Sequence, residues 1–357
     1  MSERATRLHA SPWQGACFVT GGGSLFLSEL LTTPGASATV LDVQVPYATS
    51  ALTQLLGGAP AQAASNATAR QLAVAAYHRA VQLTGNDSPT HCFGLGCTAS
   101  LGTNRQKRGT HRAHWTLQTA RKTYTFEATY SSDRATEEAL LTEQLWETVN
   151  AVLLDDPLHG DAYQIQRAEP DAEISKLLHP TPHKVCVGEH GGQLILPGSF
   201  NPLHEGHENI LTLGEQLTGQ PGAYELTLRN ADKPGLDFVT VQERLAQFAA
   251  PVWLTNTPTF AGKAQLFPGA AFLVGVDTMQ RIGSLRFYGN DVRQLDEAIA
   301  LFHDLGTQFI VFGRRDGDRF LTLDHLALPD ALQTLCRAVS EDEFRSDLSS
   351  TELRTGN

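Results

Sequence analysis

The stretch LPGSFNPLHEGHENIL, Leu196 to Leu211, carries two histidines three residues apart behind a glycine–serine turn. At that spacing on a helix start, His204 and His207 share a face, and both rings can donate to one anionic group. Gly198 and Ser199 permit close backbone approach, and Gly206 leaves room beside the rings. Ahead of the turn, residues 193–196 read as a short buried strand. Behind it, Ile210, Leu213 and Leu217 recur at helical spacing. A strand-to-helix turn of this kind presents free N–H groups and the positive end of a helix, which suits an anion. Two other readings stay open: a histidine that merely caps the helix, and a two-histidine metal site. The second needs further ligands of matching spacing and the sequence offers no third, so no metal ligand is assigned.

The elements that must position these residues belong to a chain of 357 residues, enough for two domains that each bury a core. Apolar residues at 41% and charged residues at 18% describe a globular chain rather than a disordered one. A formal net charge of -11 argues against nucleic acid and anionic membrane as partners, and leaves small anionic metabolites. The five cysteines are scattered without a CxxC pair, which points to a reducing compartment. With no apolar signal segment or membrane-length run, the expectation is a cytoplasmic protein. Self-association is left open.

The first half alternates strand and helix signals. ACFVTGGGS reads as a strand ending in glycines with Ser24 capping the next helix. SATVLDVQV reads as a strand, and a helix follows Ser65 through Leu83. HCFGLGCTA is strand-like, and AHWTLQT and TYTFEATY suggest a hairpin across ARK. A helix from about Asp133 carries Leu140, Trp146, Val149 and Leu153 towards a core. Residues 157–191 lose periodicity and gather proline, glycine and charge, as a linker does. From residue 192, QLILP, AYELTLR, VWLTN, AFLVGV and FIVFG read as strands separated by helices. The expected class is α/β in two domains, 1–156 and 192–357. The second is a Rossmann-like doubly wound parallel sheet with helices on both faces and its ligand beyond the strands' carboxyl ends.

GSFNPLHEGH resembles the GxFxPxHxGH signature of the nucleotidylyltransferase superfamily, which includes the nicotinamide/nicotinate mononucleotide and phosphopantetheine adenylyltransferases. LSSTELR, Leu348 to Arg354, resembles that superfamily's ISSTxIR triphosphate motif. Its hydroxyls and charge suit the task, with Ser349, Ser350 and Thr351 at a helix start and Arg354 facing the leaving pyrophosphate. FLVGVDTMQRI resembles the GxD element of the pyridine-nucleotide members and places Gly275 and Asp277 near a ribose. FIVFGRR resembles their later strand and makes Arg314 a phosphate or ribose contact. Lys233 and Arg244 occupy places where basic residues of relatives meet substrate or phosphates. The resemblance covers residues 192–357. It implies His204 and His207 as catalytic residues, and Gly198, Ser199, Phe200, Ser349, Ser350, Thr351 and Arg354 as nucleotide or phosphate contacts. The reaction implied is attack by an acceptor phosphate on the α-phosphorus of ATP, with Mg²⁺ on the triphosphate. Nicotinamide or nicotinate mononucleotide leads as acceptor. The alternatives are adenylyl or cytidylyl transfer to another acceptor, such as phosphopantetheine, and a non-catalytic nucleotide-binding regulator.

The first half resembles the C-terminal domain of the CinA family, which includes nicotinamide-nucleotide deamidases. The resemblance lies in TGGGS, in PGAS at Pro34 to Ser37, in PY followed by LLG, and in FGLGCTASLG where the family has a glycine-rich loop. CFVTGGG stands in place of the family's ESCTGG, and YATSAL in place of its YSNxxK, with Leu52 at the lysine. The resemblance therefore implies the fold, while the nucleophile and base expected of a deamidase are missing. Ser24 or Thr20 could substitute, but a glycine-rich turn followed by serine is more simply a helix start. A basic stretch with Arg105, Lys107, Arg108 and Arg112 beside His111 and His114 reads as a solvated hairpin loop, with a phosphate-binding loop as the alternative.

Overall fold

The computed structural model describes residues 2–85, 89–103, 109–229, 235–316 and 319–344. The chain forms two compact units, one from residues 1–180 and 232–242, the other from 181–231 and 243–357.

The first unit begins with α1 (Glu3–His9), β1 (Gln14–Thr20), α2 (Ser24–Thr32), α3 (Ala36–Thr39), β2 (Val40–Gln44), α4 (Thr49–Leu55) and α5 (Asn66–Leu83). It continues with β3 (Cys92–Ser100), β4 (His111–Thr119), β5 (Thr123–Tyr130), α6 (Arg134–Leu154), β6 (Gln164–Ala168) and α7 (Ala172–Ser175). Its sheet runs β2-β1-β3-β4-β5-β6. β1 is parallel to β2 and β3, and the pairs from β3 to β6 are antiparallel. α5 buries Ala69, Leu72, Ala73, Ala76, Tyr77 and Ala80, a helical stripe whose alanines let it lie close on the strands. Ser65 caps it by accepting from the Thr68 N–H, as the sequence suggests. α6 starts at its cap Asp133 and buries Leu141, Leu145, Trp146 and Val149 against the sheet core. Leu140, expected in that core, is exposed, because the buried face of α6 runs through Glu137, Glu138 and Leu141 and passes it by. The residues 235–242 belong here: Asp237 lies 3.6 Å from the buried Arg70, and the Phe238 N–H donates to Thr123 Oγ1 at 3.0 Å.

The second unit contains β7 (Lys184–Val187), β8 (Leu194–Pro197), α8 (Glu205–Thr218), β9 (Gly222–Thr227), α9 (Phe238–Leu245), which crosses the division after Gln242, and β10 (Val252–Thr255). Then come α10 (Phe260–Leu266), β11 (Ala271–Gly275), α11 (Val276–Ile282), α12 (Val292–Asp304), β12 (Gln308–Phe312), β13 (Arg314–Asp316), β14 (Arg319–Leu321), α13 (Asp330–Gln333) and β15 (Cys336–Val339). The sheet order is β15-β12-β11-β8-β9-β10-β7. Every pair is parallel except β10–β7. Counted from β8, six strands stand in the order 3-2-1-4-5-6, the doubly wound arrangement expected from the alternation of apolar strands and helices. Phe272, Phe302, Phe309, Met279 and Val311 fill its core.

Residues 157–191, read from the sequence as a linker, hold β6, which pairs with β5, and β7, which pairs with β10. Both are edge strands, and such short segments leave no periodicity to read. Among the described residues no helix is long and apolar enough to cross a membrane.

Candidate functional site

All six parallel strands of the second unit end on one edge. The order reverses between β8 and β11, the place at which doubly wound sheets receive their ligands. The turn after β8 is built to stand at that place. The Gly198 N–H donates to the Glu225 carbonyl at 3.0 Å, which continues the β8–β9 ladder into the turn. A Cβ on Gly198 would come within 2.6 Å of the Phe200 ring, so no larger residue fits there. Phe200 takes a left-handed φ of 43°, and the Asn201–Pro202 peptide is cis. A left-handed non-glycine residue costs about 1–3 kcal/mol. The return lies in packing: the buried Phe200 ring meets Tyr224 and Phe248 edge-on, each at 5.2 Å. Its third edge-on contact is His207, at 5.0 Å.

The two histidines stack with ring centroids 3.7 Å apart and planes inclined by 30°. His204 is the extended N-cap of α8, and the His207 N–H donates to its carbonyl at 2.9 Å. The His204 N–H in turn donates to His207 Nδ1 at 3.3 Å. An accepting Nδ1 places the His207 proton on Nε2. Burial, and then the neighbouring His204, pull the His207 pKa down to about 4. Burial lowers that of His204 too, partly offset by the Glu208 carboxylate. Both imidazoles are therefore neutral at pH 7 and present N–H dipoles rather than cationic charge.

Arg244 donates through Nη1 to the Ser199 carbonyl, so the turn and α9 hold one another. Gln247, one helical turn on, donates to the Phe200 carbonyl at 3.4 Å and accepts the Leu203 N–H at 2.9 Å. Gln247, Tyr224 and Phe248 escape a reading of the sequence. Only the spacing of Gln247 from Arg244 could have drawn attention to it.

A second group lies at the same edge. Gly275 is the last residue of β11 and the N-cap of α11, and Asp277 follows in its first turn. Arg314, just past β12, pairs with Asp277 at 2.6 Å, with both side chains about half exposed. Ion pairs so exposed are worth about 0–1 kcal/mol, so the two groups can separate for a ligand at little cost. Lys233 and the LSSTELR motif, with Ser349, Ser350, Thr351 and Arg354, lie outside the described residues. Among the described residues no three His, Cys, Asp or Glu side chains are grouped to hold a metal ion.

In the first unit the glycine turn after β1 has another constitution. Gly23, with φ 87°, is the N-cap of α2, and Ser24 is the first helical residue rather than the cap expected of it. Glu138 Oε1 accepts the Ser24 hydroxyl at 2.9 Å and the Leu25 N–H at 3.1 Å. Residues 104–108 of the basic stretch are outside the described set. His111 and His114 lie on β4 rather than in a loop: His111 is 2.6 Å from the buried Glu137, and His114 is buried beside Asn66 at 2.8 Å.

No family model and no curated protein matches the chain. Solved structures show a weak likeness. One is competence/damage inducible protein CihA from Agrobacterium tumefaciens, 18% identical, with 42% of this chain and 93% of that one covered at a TM-score of 0.32. Another is a competence-damaged protein (CinA) superfamily protein from Klebsiella pneumoniae, 16% identical, with 43% and 95% covered and a TM-score of 0.31. A third, of the same superfamily, is from Escherichia coli, 18% identical, with 42% and 86% covered and a TM-score of 0.32. At this level of identity a likeness says nothing about activity.

Proposed function

We propose that the chain is a nucleotidylyltransferase that moves an adenylyl group from ATP to a small phosphorylated acceptor and releases pyrophosphate, with nicotinamide or nicotinate mononucleotide as the leading acceptor. The observation that carries this reading is the pair of stacked, neutral imidazoles at the head of α8, directly after the first strand of a 3-2-1-4-5-6 sheet. Its resemblance to the GxFxPxHxGH signature supports the same chemistry.

In this reading an acceptor phosphate oxygen bonds to the α-phosphorus of ATP as the bond to the bridging oxygen of pyrophosphate breaks. His207, held by the Phe200 ring and the His204 N–H, donates from Nε2 to a phosphoryl oxygen on which charge accumulates. The exposed Ser199, tied through its carbonyl to Arg244, keeps the turn rigid against the nucleotide. Arg314, drawn away from Asp277, offers a fixed charge to a phosphate while Asp277 accepts from a ribose hydroxyl. Magnesium enters with ATP as part of the substrate and neutralises the leaving phosphates.

The test is pyrophosphate release by the purified chain with Mg²⁺ and ATP or CTP, against nicotinamide mononucleotide, nicotinate mononucleotide and phosphopantetheine. Release with ATP and a pyridine mononucleotide is the expected result. Release only with phosphopantetheine or CTP would keep the transfer and replace the substrate. Bound ATP without release under any pairing would make the chain a nucleotide-binding regulator.

A further inference from the structure

The second unit has another opening, at the edge of the sheet that the motifs leave unused. A cavity of about 620 Å³ lies at the amino ends of β8, β11, β12 and β15. Ligands of doubly wound sheets gather at the opposite edge, so this cavity is separate from the proposed transfer site. Its volume falls in the range of small-molecule pockets, about 300–1,000 Å³.

The lining narrows the ligand by charge. Among the described residues it contains no carboxylate, which leaves no full counter-charge for a metal ion or a charged amine. Among the described residues its one cation is Arg337, whose Nη1 donates to the Leu217 carbonyl at 3.3 Å, in the last turn of α8. α12 also ends here, with Gly306 and Thr307 in the lining just beyond it. Two helix carboxyl ends supply negative potential that disfavours an anion. What remains is neutral and polar. Gln193, Gln220 and Gln308 offer amides that both donate and accept, while the Thr218 hydroxyl is taken up by the Gly214 carbonyl at 2.8 Å and the Gln220 N–H at 3.3 Å.

Thr307 adds an independent indication. The residue is wholly buried, lines the cavity, and its hydroxyl has no hydrogen-bond partner within the described protein. An unmet buried hydroxyl is destabilising, and valine would fill the same volume without that cost. A ligand hydroxyl would complete it.

We propose that this amino-edge cavity binds a neutral, hydroxyl-rich small molecule of sugar size, with the Thr307 hydroxyl and the glutamine amides as its hydrogen-bonding partners. The full chain is titrated by NMR with glucose, maltose and myo-inositol, and in separate arms with inorganic phosphate and spermidine. Saturable binding of at least one of the three neutral probes is expected, weakened tenfold or more in Thr307→Val and in the rim variant Gln308→Leu, and unchanged in His207→Ala. Thr307→Val should melt no lower than the parent chain, which separates lost binding from lost folding. The inference is overturned if none of the three neutral probes saturates, if both variants bind as the parent does, or if phosphate or spermidine takes the cavity instead.

Discussion

The molecule twice builds a glycine-containing turn between a strand and a helix, and finishes the two differently. After β1 the helix start is met from inside the protein: Glu138, on α6, accepts the Ser24 hydroxyl and the Leu25 N–H. A carboxylate of the chain thus stands where an external anion would stand. After β8 the helix start is met by two neutral imidazoles, one supported by an aromatic cluster and fixed in its tautomer by a backbone N–H. Glycine turns on central strands are therefore not equivalent. What decides between a sealed turn and an open one is whether the fold brings its own acceptor to the helix end.

Removing the imidazole should separate the two turns most widely. His207→Ala is expected to lower pyrophosphate release about 10²–10³-fold, the usual cost of one preorganised donor to a developing charge. The melting temperature should stay close to that of the parent chain. Unchanged turnover in this variant would remove the β8 turn from the chemistry.

Next in size is the backbone of that turn. Gly198→Ala drives a methyl group into the Phe200 ring, which already holds a left-handed φ. Overpacking of this kind costs about 1–3 kcal/mol, and displacement of Phe200 also unseats His207. Stability by denaturant titration and turnover should fall together. If stability falls while turnover holds, the aromatic support of the imidazole is unnecessary.

How much of this was legible beforehand follows from the length scale of each feature. The doubly wound sheet rested on five apolar strands alternating with helices, a pattern the sequence carries openly; β15, with two of its four residues exposed, was not among them. The histidine spacing, the Ser65 and Asp133 caps and the β4–β5 hairpin are local in the same sense, since neighbours within four residues define them. Glu138 is 114 residues from Ser24 and Gln247 is 47 from Phe200, and no local pattern announces pairings of that range. The reading of Ser24 as a cap failed for that reason. A serine after glycines has the composition of a cap, but Gly23 takes the left-handed conformation itself, and the hydroxyl donates to a distant carboxylate instead. Leu140 shows a smaller failure, because a helix with apolar residues at 140 and 141 does not say which of them faces inward.

The sealed turn makes the opposite prediction from the open one. Glu138→Ala removes the acceptor that Ser24 and Leu25 share and should destabilise the first unit by about 1–2 kcal/mol, the worth of a helix-end carboxylate. Alanine keeps the propensity of α6, so the loss reports the interaction. Adenylyl transfer should be unaffected. A variant as stable as the parent would mean that solvent serves the α2 start equally well.

The smallest effect concerns protonation of the open turn. An unfolded histidine titrates near pH 6.5 and His207 in the folded chain near 4, so the unfolded state binds the extra proton first as pH falls. The contribution of this ring to stability is complete above about pH 6.5, declines as pH falls towards 4, and flattens below it. NMR titration of the free chain should place the His207 midpoint well below that of an exposed histidine. His204→Ala should raise it, because the like charge of a neighbouring imidazole is one of the two causes of its depression. ATP should raise it further, since a phosphate beside Nε2 favours the protonated ring. An ATP-insensitive midpoint, in a chain that still binds ATP, would place the nucleotide away from His207 and leave the two turns equally remote from it.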